Sequence, residues 1–165
     1  MERRSWVRQL MGMPVSVLAR GDDVMLRAPD LDAAVDALYA ELSQVDEVFS
    51  TYRPDSAVSR LAAGELPAED SPAEVQEVIA LCREAQLRTG GAFSAWLPGR
   101  PFDPSGLVKG WAVERAFRHL AASTLDVLVN AGGDVVARAS TAFNVGIEDP
   151  ADRSRMVAVV PLLAG

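Results

Sequence analysis

The chain has 165 residues, long enough for one packed domain, and its 49% apolar and 24% charged residues make an ordinary globular composition. A net charge of −7 argues against nucleic acid or an anionic membrane surface as the main partner, because both require a basic footprint. A single cysteine, Cys82, rules out a disulfide framework and a cysteine-rich metal site.

The amino terminus, Met1 to Trp6, carries two arginines but no apolar stretch behind them, so it is not a signal peptide or lipoprotein leader. No window approaches eighteen apolar residues, which predicts no membrane span. The expected location is the cytoplasm, or outside it if a leader preceded Met1. Pro14–Ala19 and Val24–Ala28 read as two strands joined by the turn-rich Arg20–Asp23. Leu31, Ala34, Val35, Leu38, Leu42, Val45, Val48 and Phe49 then recur at three- and four-residue spacing, the mark of a core helix with Asp30 as its cap.

Ser50-Thr51-Tyr52-Arg53-Pro54-Asp55-Ser56 follows that helix. Either Tyr52 stacks on a ring system while its neighbours hold polar edges, or Arg53 pairs with Asp55 and the hydroxyls cap the next turn. Ser71-Pro72-Ala73-Glu74 has the form of a capping box opening a second helix through Val75, Val78, Ile79, Cys82 and Ala85, which stops near Gly90-Gly91. On that helix Cys82 reads as a buried structural thiol. The segment from Ala92 to Phe102 holds Pro98, Gly99 and Pro101 and is expected to be irregular.

The stretch from Asp103 to Ala116 is the most informative one. Asp103 is a candidate cap, Pro104 suits a first helical position, and Ser105 and Gly106 present backbone N–H groups at the positive end of the helix. Lys109, one turn on, is placed to reach back over that end, so the segment reads either as an anion-holding helix start or as an ordinary capped helix with a surface lysine. Val113, Ala116, Phe117 and Leu120 form its apolar face, with His119 beside it as a surface or half-packed residue.

Leu125–Asn130 and Asp134–Arg138 read as strands around the turn Ala131-Gly132-Gly133, and Ala142–Ile147 and Met156–Leu163 as two more. The glycines either admit a ligand to the backbone or allow positive φ in a tight turn; the Gly-x-Gly-x-x-Gly spacing of a dinucleotide fingerprint is absent. Met11-Gly12-Met13-Pro14 could set a thioether against a flat ring or fill a core gap. There is no Gly-x-Ser-x-Gly elbow, His-Glu-x-x-His pair or Walker lysine loop. Helices set among strand pairs joined by short turns predict an α+β fold with a largely antiparallel sheet.

In order along the chain, Met11-Gly12, Ser50–Ser56 with Ser59-Arg60-Leu61, Gly91-Ala92-Phe93, Asp103–Ala116, Asn130–Asp134 and Val145–Pro150 resemble the ApbE family of FAD:protein FMN transferases. The resemblance implies a T-fold-related α+β architecture, FAD in a cleft, and magnesium at the pyrophosphate. It implies transfer of FMN from FAD to a threonine or serine hydroxyl of a target flavoprotein, with release of AMP. Residues implied as FAD contacts are Met11, Tyr52, Ala92, Phe93, Ser94, Asp103 and Lys109, and Gly106 takes the position whose carbonyl helps to hold the metal.

Two departures accompany it. Ser94 stands where relatives often carry an aspartate, and the family continues past Gly165 into the segment with its magnesium-binding aspartate and threonine. The expectation is therefore that residues 1–165 form the amino-terminal portion of a single transferase domain, incomplete for catalysis. The alternatives are a non-catalytic FAD- or nucleotide-binding module, an FAD pyrophosphatase relative, and a fragment that self-associates over an unfinished sheet edge.

Overall fold

The computed structural model describes residues 2–162. Four antiparallel strands form the main sheet in the order β1 (Glu2–Leu10), β2 (Met13–Gly21), β3 (Asp126–Ala131) and β4 (Asp134–Arg138). Strands β2 and β3 are neighbours in space, and the helical part of the chain lies between them in sequence. It comprises α1 (Asp23–Leu26), α2 (Pro29–Phe49), α3 (Ala57–Ala62), α4 (Ala73–Arg88) and α5 (Ser105–Phe117), with single 3-10 turns at Ala68–Asp70 and Arg118–Leu120. Strands β5 (Phe143–Glu148) and β6 (Met156–Leu162) pair with each other as a separate antiparallel hairpin. The α+β expectation, with an antiparallel sheet and packed helices, holds.

Period-two alternation turns Val15, Val17 and Ala19 of β2 and Val127, Val129 and Ala131 of β3 to the same face, where all six are fully buried. The stripe of α2 fills that face with Leu31, Val35, Leu38, Leu42 and Val45, and α5 adds Val108, Ala112 and Ala116. Each buried valine or leucine among them contributes about 1.5–3 kcal/mol. Tyr39 is also inside; its hydroxyl donates to the Val15 carbonyl at 3.2 Å, and burial raises its pKa. Cys82 is buried as expected, and desolvation pushes its thiol up to about 11. His119 lies at the surface, its Nε2 3.3 Å from a Glu41 oxygen.

The structure corrects four local expectations. Val24–Ala28 is not a strand: Asp22 accepts from the Val24 N–H at 3.0 Å and caps the one-turn helix α1, leaving Val24 exposed and Leu26 buried. The strand that forms a hairpin with β2 is β1, an edge strand whose core-side positions are Arg4, Trp6, Arg8 and Leu10. Arg4 and Trp6 both bond Asp32, and Arg8 pairs with Asp36, so long side chains with polar ends cover α2 here. Helix α2 begins at Pro29, with no side-chain cap from Asp30. The Ser71 capping box does not form either: the Ser71 hydroxyl donates instead to the Pro67 carbonyl at 3.0 Å.

Buried Asp126 organises the far end of β3. It pairs with Arg20 at 2.9 Å and accepts from the amide and hydroxyl of Ser140. Arg20 in turn donates to the carbonyls of Thr141 and Ala142 and covers the Phe143 ring. This cluster anchors the chain where it leaves the main sheet for the β5–β6 hairpin.

Candidate functional site

Helix α5 starts at Ser105, one residue later than its sequence suggests, with Pro104 at the cap position. Asp103 keeps a capping role from outside the helix: its Oδ1 accepts the Ser105 N–H at 3.0 Å and the Ser105 hydroxyl. The Ser105 amide expected to face an anion is thus already occupied. Gly106, next along, lies against the Phe93 ring, and a Cβ there would come within 3.3 Å of it. A bare backbone at 106 is what lets the aromatic ring of the preceding loop close onto the helix.

Around this contact lies a cleft of about 790 Å³, within the size range of small-molecule sites. Ala92, Phe93 and Ser94 form one wall, and Asp103, Ser105 and Gly106 another. Thr51 and Ser59 enter from the loop after α2 and from α3, and Arg100 brings a cation. The irregular 92–102 segment is held in place locally: the Phe93 N–H donates to Thr89 Oγ1, and the Asp103 N–H donates to the Ala95 carbonyl, both at 3.0 Å. Trp96 packs on Phe102 with ring centroids 5.2 Å apart.

Five of the eight residues singled out from the sequence, Ala92, Phe93, Ser94, Asp103 and Gly106, line this cleft; Met11, Tyr52 and Lys109 do not. Tyr52 is 96% exposed, while its neighbour Thr51 reaches the cleft. Around Tyr52 the alternative reading of the loop is found. Arg53 pairs with Asp55 at 3.1 Å and holds that carboxyl below its usual range, and Ser56 caps α3 by accepting the Ser59 N–H.

Met11 and Lys109 meet a second group of residues at the adjoining end of the sheet. Met11-Gly12 is a two-residue turn between paired Leu10 and Met13, with φ of 53° and 71°. Gly132-Gly133 is the equivalent turn between Ala131 and Asp134, with φ of 56° and 98°. Both turns demand left-handed backbone, which glycine adopts freely and methionine does not. Met11 is the one non-glycine residue with positive φ among the described residues, and its side chain packs against the core. The turns interlock: Met13 Sδ sits 2.6 Å from where a Gly132 Cβ would be. Lys109 does not reach back over the helix start. Its Nζ turns sideways to the Gly132 carbonyl at 3.4 Å and the Asp134 carboxylate at 3.3 Å.

A divalent metal requires several oxygen ligands. No group of three or more His, Cys, Asp or Glu side chains assembles a metal site among the described residues. Asp103 is engaged by Ser105, and Asp134 by Lys109. Sequence reasoning missed Thr51, Ser59 and Arg100 as cleft residues. The one available signal was that Arg100 and the Ser50–Ser56 segment lie on loops flanking the helices that carry the rest. No helix of the described residues is long and apolar enough to cross a membrane.

The structure resembles several solved proteins. Flavin transferase ApbE from Vibrio cholerae, as its H257G mutant, superposes with a TM-score of 0.73 at 16% identity over 91% of this chain and 68% of that one. The ApbE protein from Thermotoga maritima gives 0.83 at 16% identity over 99% and 69%. The apo form of the Pseudomonas stutzeri flavinyl transferase ApbE gives 0.71 at 21% identity over 88% and 65%. The likeness at such identities is one of fold, and the chain spans about two thirds of these relatives' length. No curated protein matches the chain. The ApbE family itself matches residues 11–99 and 96–164, so the chain belongs to the ApbE family.

Proposed function

We propose that this chain binds FAD across the start of α5 and serves FMN transfer to a protein. The observation that carries the proposal is the cleft built on Phe93, Asp103 and Gly106 in a chain that matches the ApbE family over nearly its whole length. The apolar wall at Phe93 suits a planar ring. Arg100 lines the cleft at the helix start, where the dipole favours a pyrophosphate, and Lys109 lies one turn further along α5. Met11 and Tyr52 are placed in this reading as further FAD contacts, on the turn beside Lys109 and on the loop beside Thr51. Residues 1–165 then act as part of a single transferase domain.

In the reaction proposed, a threonine or serine hydroxyl oxygen of a target flavoprotein attacks the FMN-side phosphorus. The bond to the bridging oxygen breaks, AMP leaves with that electron pair, and the hydroxyl proton passes to solvent. The chain's own contribution is to position FAD and to offset charge on the pyrophosphate. Magnesium, which the resemblance implies, has no ligand set of its own among the described residues. Acting alone, the chain is therefore expected to bind FAD and to transfer FMN poorly.

The test is incubation with FAD, magnesium and a target flavoprotein domain, read as an FMN mass increment on the target. A weak or absent increment together with saturable FAD binding is expected; robust transfer would overturn the claim that these residues lack a functional metal site. A second reading, a non-catalytic FAD-binding module, rests on the same cleft at Phe93 and Gly106. It predicts FAD binding insensitive to a chelator and no AMP release, where a pyrophosphatase would release both AMP and free FMN.

A further inference from the structure

Lys109 is the only lysine in a chain whose Lys and Arg together number 16. Every other cation of this type is a planar, forked guanidinium; this one is a compact point charge on a flexible stem. Its setting is built with care. Lys109 lies three residues beyond Gly106, hence on the same side of α5 as the helix residue that closes the cleft. Across from it, the Gly132-Gly133 turn is fixed on both flanks. The Asn130 side chain accepts the Gly133 N–H at 3.0 Å, and the space a Gly132 side chain would need is filled by Met13. The turn so fixed presents a carbonyl and a carboxylate, those of Gly132 and Asp134, to the single ammonium. Both contacts are long and only partly buried, the Lys109 and Asp134 side chains being 33% and 41% exposed.

We propose that Asp134 is the positioning residue for Lys109. With the Gly132 carbonyl it parks the ammonium within one helical turn of the cleft, from where the lysine stem swings onto the pyrophosphate of a bound dinucleotide. A tight buried pair would keep the ammonium from the ligand, and an unpartnered lysine would lose rotamer freedom on every binding event. A long, partly exposed pair avoids both costs, since such pairs are weak. This inference rests on the FAD-binding reading above.

The experiment is a double-mutant cycle on the full chain, with FAD affinity measured by flavin fluorescence. Asp134→Asn is expected to weaken FAD binding about fivefold in the natural background, the equivalent of ~1 kcal/mol. It should have no effect in a Lys109→Ala background, and Asp134→Glu should restore most of the affinity. An equal loss in both backgrounds would mean that Asp134 merely maintains the turn, and no loss in either would mean that it does nothing for the ligand; both overturn the proposal. Because Lys109 is the sole lysine, reductive methylation with 13C-formaldehyde gives it a single side-chain NMR signal beside that of the amino terminus. That signal should shift on Asp134→Asn without FAD present, and an unmoved signal would refute the pairing itself. A natural chain that binds no FAD, with the methyl signal still responding to Asp134→Asn, would refute the proposed function and leave the pairing standing.

Discussion

Each half of α5 carries a cation with carboxylate partners, and the two are held in opposite ways. Near its end, Arg115 is clamped by carboxylates from two other helices, Glu41 of α2 at 2.5 Å and Glu74 of α4 at 3.3 Å, and its guanidinium covers the Trp111 ring. Trp111 meets buried Phe49 edge-on at 5.4 Å and donates to Glu77. Near its start, Lys109 has a single carboxylate, Asp134 at 3.3 Å, and one carbonyl, Gly132 at 3.4 Å, and neither approaches as closely as Glu41 does to Arg115. One cation locks three helices together, while the other is kept loosely held next to the place where an anion is proposed to bind. A charged residue on a helix is thus read through the number and burial of its partners, not through its charge alone.

The comparison breaks most visibly at its structural end. Phe49→Ala removes a ring that is 5% exposed and the edge contact to Trp111. It should cost ~3–5 kcal/mol of stability by chemical denaturation. Arg115→Ala leaves Glu74 without its cation and Glu41 with only His119, and should cost ~1 kcal/mol, with FAD affinity unchanged in the surviving folded protein. A shift in FAD affinity at fixed folded fraction would show that the two halves of the helix are not separate.

A third test concerns pH. Burial works against the ionised form of Asp126, but the Ser140 amide, the Arg20 guanidinium and the Ser140 hydroxyl outweigh it, so its pKa lies below the ordinary 3.8. A carboxyl depressed on folding contributes stability that is complete above its unfolded value and is lost as pH falls through the folded one. Thermal melts of the natural chain and of Asp126→Asn should therefore differ at neutral pH and converge as pH drops below about 4. A gap that stays constant on acidification would contradict the assignment.

Helix α2 could be read from the sequence because its apolar spacing is local, and so could the α5 start and the glycine turn before Asp134. Strand β1 escaped because its covering side chains are Arg4 and Arg8, which hide their apolar stems behind charge. Val24–Ala28 misled for the opposite reason: five residues are too few for periodicity to separate one helical turn from a strand. Of the candidate site, the cleft lining near Phe93 and Gly106 was visible as motifs, whereas the partner of Lys109 was not. That partner, Asp134, lies across the sheet end at the start of β4, 25 residues later, and only the folded register of β3 and β4 brings it there.

The smallest structural effect carries the most functional weight. Lys109→Ala should change stability by less than ~0.5 kcal/mol, since its pair is half-exposed. The most direct measurement is therefore FAD titration of the natural chain and of Lys109→Ala, with melting temperatures recorded on the same samples. Saturable binding that weakens about tenfold in the variant while melting stays put is the predicted result. Equal affinity in both proteins, or no saturable binding in the natural chain, would contradict an FAD site at the open end of α5.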